Sequence, residues 1–160
     1  YQYTGNTEVF TFSNSLKKEL LDSKNIDPKK IIFFLEKELK DNPDDLKGWR
    51  LLARTCLMTG YLQKANKYYK KAIERFPKNI DLLTEYALFK KSNNELKASI
   101  KIIKKIDAFF PKNVANLILL TELYIEDKNK IEAQKIIRVL KVNKISEEIL
   151  LSLKKKIDEI

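Results

Sequence analysis

Pro43, Pro77 and Pro111 stand 34 residues apart, and Ala65, Ser99 and Ala133 keep the same interval between them. A fixed period of that length is the signature of stacked helix-turn-helix repeats. Such stacks present a wall of first helices to a partner and rarely carry chemistry of their own. From Leu46 to Asn79 the period holds Trp49, Leu52, Ala53, Gly60, Ala65, Tyr69, Ala72 and Pro77. Each residue type has a packing reason. Trp49 and Leu52 suit the seam of a first helix, and Ala53 and Ala65 let two helices approach closely. Gly60 supplies the turn, and Pro77 stops the second helix.

The interval predicts helical hairpins over 46–79, 80–113 and 114–147, flanked by capping helices over 28–41 and 146–159. The second hairpin keeps Leu83, Tyr86, Ala87, Ser99, Ile103 and Pro111, but it puts Lys90 where a buried aromatic is usual and Asn93-Asn94 at the turn. The third keeps Leu117, Leu120, Tyr124, Ala133, Ile137 and Leu140, with Lys128-Asn129 at the turn and Ile145 in place of the proline. Upstream, Asp27-Pro28 offers a cap and a proline at the first helical position. Ile31, Ile32, Leu35 and Leu39 then continue at helical spacing. Ser15, Lys18 and Glu19 occupy slots that want core residues, so 28–41 is a half-repeat. Tyr1 to about Ser13 reads as an extended lead-in, followed by a short helix over 15–23. In the last helix Ile149, Leu150, Leu153 and Ile157 share a side, as a cap on the open end requires. The fold class is therefore all-α, a repeat solenoid of antiparallel helix hairpins.

Composition agrees: 44% apolar and 34% charged residues with three glycines and four prolines mark an ordered helical protein. The sequence contains no histidine, which excludes histidine-based acid–base work, a Ser-His-Asp arrangement and histidine ligation of haem or most zinc sites. No glycine-rich phosphate loop occurs. The expectation is a non-enzyme with no cofactor. Cys56, the single cysteine, falls in an aromatic core slot and reads as a small hydrophobe. The net charge is +10, and all but four of the 32 basic residues are lysine, spread over every helix. Phosphate readers favour arginine forks. The charge is therefore read as unfocused, a solvated surface with no nucleic-acid partner.

In such a stack the binding wall takes positions 2, 5, 9 and 12 of each first helix. Those positions hold Lys47, Arg50, Arg54 and Leu57, with Leu51 and Met58 flanking, then Asp81, Thr84, Leu88 and Lys91, then Ala115, Ile118, Glu122 and Ile125. Lys47, Arg50 and Arg54 lie at i, i+3 and i+7, where guanidinium forks could grip a carboxylate. Leu57, Leu88, Ile118 and Ile125 could take the apolar side of an amphipathic helix, or belong partly to the core.

Within Asp27–Ser92, the phrases NPDDLKGWRLLAR (Asn42–Arg54) and DLLTEYA (Asp81–Ala87) resemble the tetratricopeptide region of the bacterial cytochrome c maturation protein CcmI family, also called CycH or NrfG-like. The opening YQYTGN (Tyr1–Asn6) is similar to the segment after the membrane anchor in that family. The resemblance implies a periplasmic arm at the inner membrane, with 1–27 as the lead-in from an upstream anchor and 28–160 as the repeat domain. It implies a chaperone that captures the C-terminal helix of apocytochrome c and presents it to the haem-ligation complex. The alternative is a scaffold linking folded envelope proteins.

Overall fold

The computed structural model describes residues 27–143 and 145–160. The lead-in and the short helix expected over 15–23 lie outside the described residues. Those described form eight helices and no strand: α1 (Pro28–Asp41), α2 (Leu46–Met58), α3 (Leu62–Arg75), α4 (Ile80–Ser92), α5 (Leu96–Phe109), α6 (Val114–Glu126), α7 (Lys130–Val142) and α8 (Glu147–Asp158).

The 34-residue interval reappears in the backbone hydrogen bonds. Asp45, Asn79 and Asn113 cap α2, α4 and α6, each side chain accepting from the amide three residues on, Gly48, Leu82 and Asn116. A cap of this kind is worth about 1 kcal/mol, because it satisfies a donor that the first helical turn leaves open. Every hairpin turn is closed the same way. Tyr61, Glu95 and Asn129 donate to the carbonyls of Cys56, Lys90 and Tyr124, each at 2.8 Å, while the residues before them donate to Leu57, Lys91 and Ile125. This paired bonding is a Schellman motif and demands a left-handed residue at its centre. Gly60 meets that demand with φ +79°, Asn94 with φ 60° and Lys128 with φ 54°. Asparagine tolerates the conformation better than lysine, so the third turn carries the most backbone strain.

Two compact units divide the chain between Tyr68 and Tyr69, inside α3. In the first, α1 packs on α2, and Ile32, Leu35, Leu39, Trp49, Leu52 and Cys56 are buried. Gly48 is required here for a reason other than φ. A Cβ at that position would stand 3.0 Å from a Leu39 methyl and 2.6 Å from the Asp45 carboxylate that caps the helix. Trp49 is buried with its indole N–H donating to the Pro43 carbonyl at 2.8 Å, and its ring lies 6.3 Å from that of Tyr68. Burial pushes the Cys56 thiol up to about 11, which leaves it protonated and inert.

In the second unit α4 packs on α5, α5 on α6, α6 on α7, and α8 on both α6 and α7. Leu83, Ile103, Leu117, Leu120, Leu140 and Leu153 belong to one continuous apolar core that runs through these helices. The aromatic slot of the second hairpin is where the structure adds most to the sequence. Lys90 is buried, only 8% exposed, and lies where Tyr124 lies one period later. Its four-carbon stem fills the slot. Its ammonium bonds both carboxylate oxygens of Glu95 at 2.8 and 3.0 Å and stands 5.5 and 5.7 Å from the ring centres of Tyr86 and Phe89. The cation is therefore compensated, as a buried charge has to be. The Lys90 bond, with help from Asn93, holds the Glu95 carboxyl below its usual value.

Candidate binding groove

The wall residues of the first unit lie along α2 on the side away from its buried Trp49, Leu52 and Cys56. Lys47 and Arg54 are exposed, Arg50 and Leu57 are half-buried, and Met58 is 87% exposed. The helix phase explains the arrangement: successive steps of about 100° put 47, 50, 54 and 57 within one arc, opposite 49, 52 and 56. A second cluster of this unit lies between α1 and α3. Glu36 accepts hydrogen bonds from the Tyr68 hydroxyl and, at 3.1 Å, from the Lys64 ammonium. The Tyr68 bond, then Lys64, hold the Glu36 carboxyl below its usual range, and burial together with that same bond push the Tyr68 phenol up. This arrangement pins two helices together and leaves no group poised for proton transfer at neutral pH.

The wall residues of the second unit are placed by α4 and α6. Leu88 is 45% exposed, so it is surface and not core. Thr84, Ile118, Glu122 and Ile125 are half-buried, and the two isoleucines rest against the apolar core. Lys91, at the end of its row, is already committed to Glu126 at 2.7 Å. Ile118 and Glu122 open onto a groove of about 450 Å³ between α6 and α8. Its other lining residues are Glu148, Ile149, Ser152, Leu153 and Lys156. The floor is apolar, from Ile118, Ile149 and Leu153. The rim is charged, with Lys156 and Glu122 facing each other at 3.9 Å and each about half exposed.

Sequence reasoning missed the α8 side of this groove because it assigned that helix to capping alone. The period itself contained the signal. Ile149, Ser152 and Lys156 stand 34 residues after Ala115, Ile118 and Glu122, so α8 continues the wall while its Leu150, Leu153 and Ile157 bury the end of the core. The groove offers apolar contact, a hydroxyl and charges of both signs. Among the described residues no cluster of acidic or sulfur side chains could hold a metal, and no helix is long and apolar enough to cross a membrane.

Residues 46–89 match the tetratricopeptide repeat family. The solved structures that resemble the chain agree on the fold. A tetratricopeptide repeat protein from Parabacteroides merdae ATCC 43184 is 22% identical with a TM-score of 0.63, over 78% of this chain and 53% of its own. MamA RS-1, as an ArsTM double mutant, is 14% identical with a TM-score of 0.66, over 97% and 94%. A thermophilic tetratricopeptide protein in Thermus thermophilus is 18% identical with a TM-score of 0.53, over 76% and 70%. The chain spans about half the length of the first of these. No curated protein matches it. The fold is thus a helical-hairpin array of the tetratricopeptide-repeat type. Nothing in these likenesses singles out the cytochrome c maturation family.

Proposed function

We propose that the chain is a peptide-binding module whose α6–α8 groove receives one face of an amphipathic helical segment. The observation that carries this reading is the groove's composition. An apolar floor of Ile118, Ile149 and Leu153 lies between acidic Glu122 and Glu148 and basic Lys156. An incoming helix with two or three apolar anchors at i, i+3/i+4 spacing can bury them there while its flanking charges pair at the rim. Glu122 and Lys156 are held only loosely at 3.9 Å, so a ligand can replace the contact at little cost. Such an interface is small and suits a partner that must later be released.

The resemblance of Asn42–Arg54 and Asp81–Ala87 to the cytochrome c maturation proteins names the client to try first. It is the C-terminal helix of apocytochrome c, met on the periplasmic face of a bacterial inner membrane and passed to a haem-ligation complex. Fluorescence anisotropy of that labelled helix peptide, titrated with wild type, Ile118→Asp and Arg50→Ala/Arg54→Ala, tests both levels of the proposal. Saturable binding that Ile118→Asp abolishes supports the groove. A further loss in the arginine variant that disappears at high salt would add an exposed ionic contribution from α2. If no helical peptide binds, or Ile118→Asp binds like wild type, the groove reading fails and the scaffold for folded partners replaces it.

A further inference from the structure

The positive charge, read from the sequence as unfocused, is ordered by the fold in the second unit. On α5 the exposed positions 97, 101, 104 and 105 are all lysine. Their spacing places them within an arc of about 100°, opposite the buried Ser99, Ile100, Ile103 and Ile106. One period later the same stripe of α7 reads Ile131, Lys135, Arg138 and Val139, continued by Val142, again opposite a buried face of Ala133, Ile136, Ile137 and Leu140. One period earlier, Lys70 and Lys71 on α3 hold the register of Lys104 and Lys105 and are exposed as well. The cations therefore recur in register on the second helices, on the sides turned away from the core. The first helices α4 and α6 carry no such stripe: their ionised residues are Asp81, Glu85, Lys90, Lys91, Glu122 and Glu126.

Some of this charge is already paired, Lys97 with Asp127 and Lys135 with Glu132. Among the described residues no carboxylate bridges Lys101, Lys104, Lys105 or Arg138. Apolar side chains share the stripe: Ile131 is 68% exposed and Val142 81% exposed. We propose that this lysine stripe with its aliphatic residues is a docking surface for an anionic lipid bilayer, a role separate from the groove. Two features favour lipid over nucleic acid. Lysine acts as a diffuse point charge toward headgroups, whereas phosphate-backbone readers favour the bidentate fork of arginine. Exposed aliphatics interleaved with cations suit the boundary between headgroups and acyl chains, while nucleic acid rewards aromatic stacking, and no aromatic lies within these two stripes. Phe109, beside the α5 stripe, already has the ammonium groups of Lys78 and Lys105 over its ring.

Sedimentation of the full chain with phosphatidylcholine vesicles, with and without phosphatidylserine, tests the surface directly. Partitioning should require phosphatidylserine and fall steeply as salt rises. Lys101→Gln/Lys104→Gln/Lys105→Gln should lower it on the order of 100-fold. Ile131→Ser/Val142→Ser should remove the salt-resistant remainder. All five positions are exposed, and circular dichroism would establish that the variants keep their helices. Ile118→Asp should leave vesicle binding unchanged, which separates this surface from the groove. Equal partitioning to both vesicle types, no partitioning at all, or an unchanged folded lysine variant would overturn the proposal. So would mixed-sequence DNA that strips the protein from vesicles and itself depends on the same three lysines, because the stripe would then be a polynucleotide surface.

Discussion

Lys90 offers the sharpest test of how the second hairpin is held together, because one side chain performs two separable tasks. Truncation to alanine removes three stem methylenes from a buried slot, each worth about 0.8 kcal/mol. It also removes a cation held over Tyr86 and Phe89, worth roughly 0.5–1 kcal/mol. The ion pair adds little, since the Glu95 side chain is 40% exposed and returns to water when its partner goes. Against these losses, freeing an ordered lysine recovers roughly 1.5–2 kcal/mol of rotamer entropy. Lys90→Ala should therefore destabilise by roughly 1–2 kcal/mol. Lys90→Met keeps the stem and removes the charge, so it should stay within about 1 kcal/mol of wild type. Urea denaturation followed by far-ultraviolet circular dichroism reads both variants, with Trp49 fluorescence as a separate probe of the first unit. If methionine proves as costly as alanine, the ion pair and not the stem stabilises the slot, and the packing argument is wrong.

Trp49→Ala should cost roughly 3–5 kcal/mol, because it empties a buried slot and leaves the Pro43 carbonyl without its donor; a loss under about 1 kcal/mol in chemical denaturation would contradict the burial. The Glu36 contacts to Tyr68 and Lys64 should make the first unit acid-sensitive. Their lowered carboxyl pKa means that the unfolded state binds the proton more readily, so their contribution is full above pH 4.5 and disappears as pH falls below it. Denaturation midpoints of wild type and Glu36→Gln across that range should converge at acid pH, and a difference that persists there would refute the assignment.

The helices and their joins were legible in the sequence because the 34-residue interval reports packing directly: Trp49, Leu52, Ala53 and Ala65 are in the core, and Gly60 has the φ its turn demands. Lys90 was not, since its burial depends on Glu95, which the turn brings within hydrogen-bond distance. The groove was half legible. Ile118 and Glu122 follow from position in the repeat, whereas Ile149, Ser152 and Lys156 were hidden by reading α8 as a lid alone. The lysine stripe was missed for a similar reason: charge summed along a helix averages out what one face concentrates. Lys101 and Lys135, with Lys104 and Arg138, become a pattern only when the same interval that located the core is applied to the opposite side.

The capping side chains at Asp45, Asn79 and Asn113 have an implication for how such a chain can change length. Each stands at the join between hairpins and satisfies only the helix that follows it, through a bond three residues long. A cut before one cap and before the next therefore excises a segment that carries its own start signal, and the bond that reaches back across the cut, from the Trp49 indole to the Pro43 carbonyl, meets Pro77 in the equivalent place one period on. Duplication or loss of 34 residues between such cuts leaves every remaining join chemically complete, so recombination can lengthen or shorten the array in whole units, and a protein engineer can splice at the same residues.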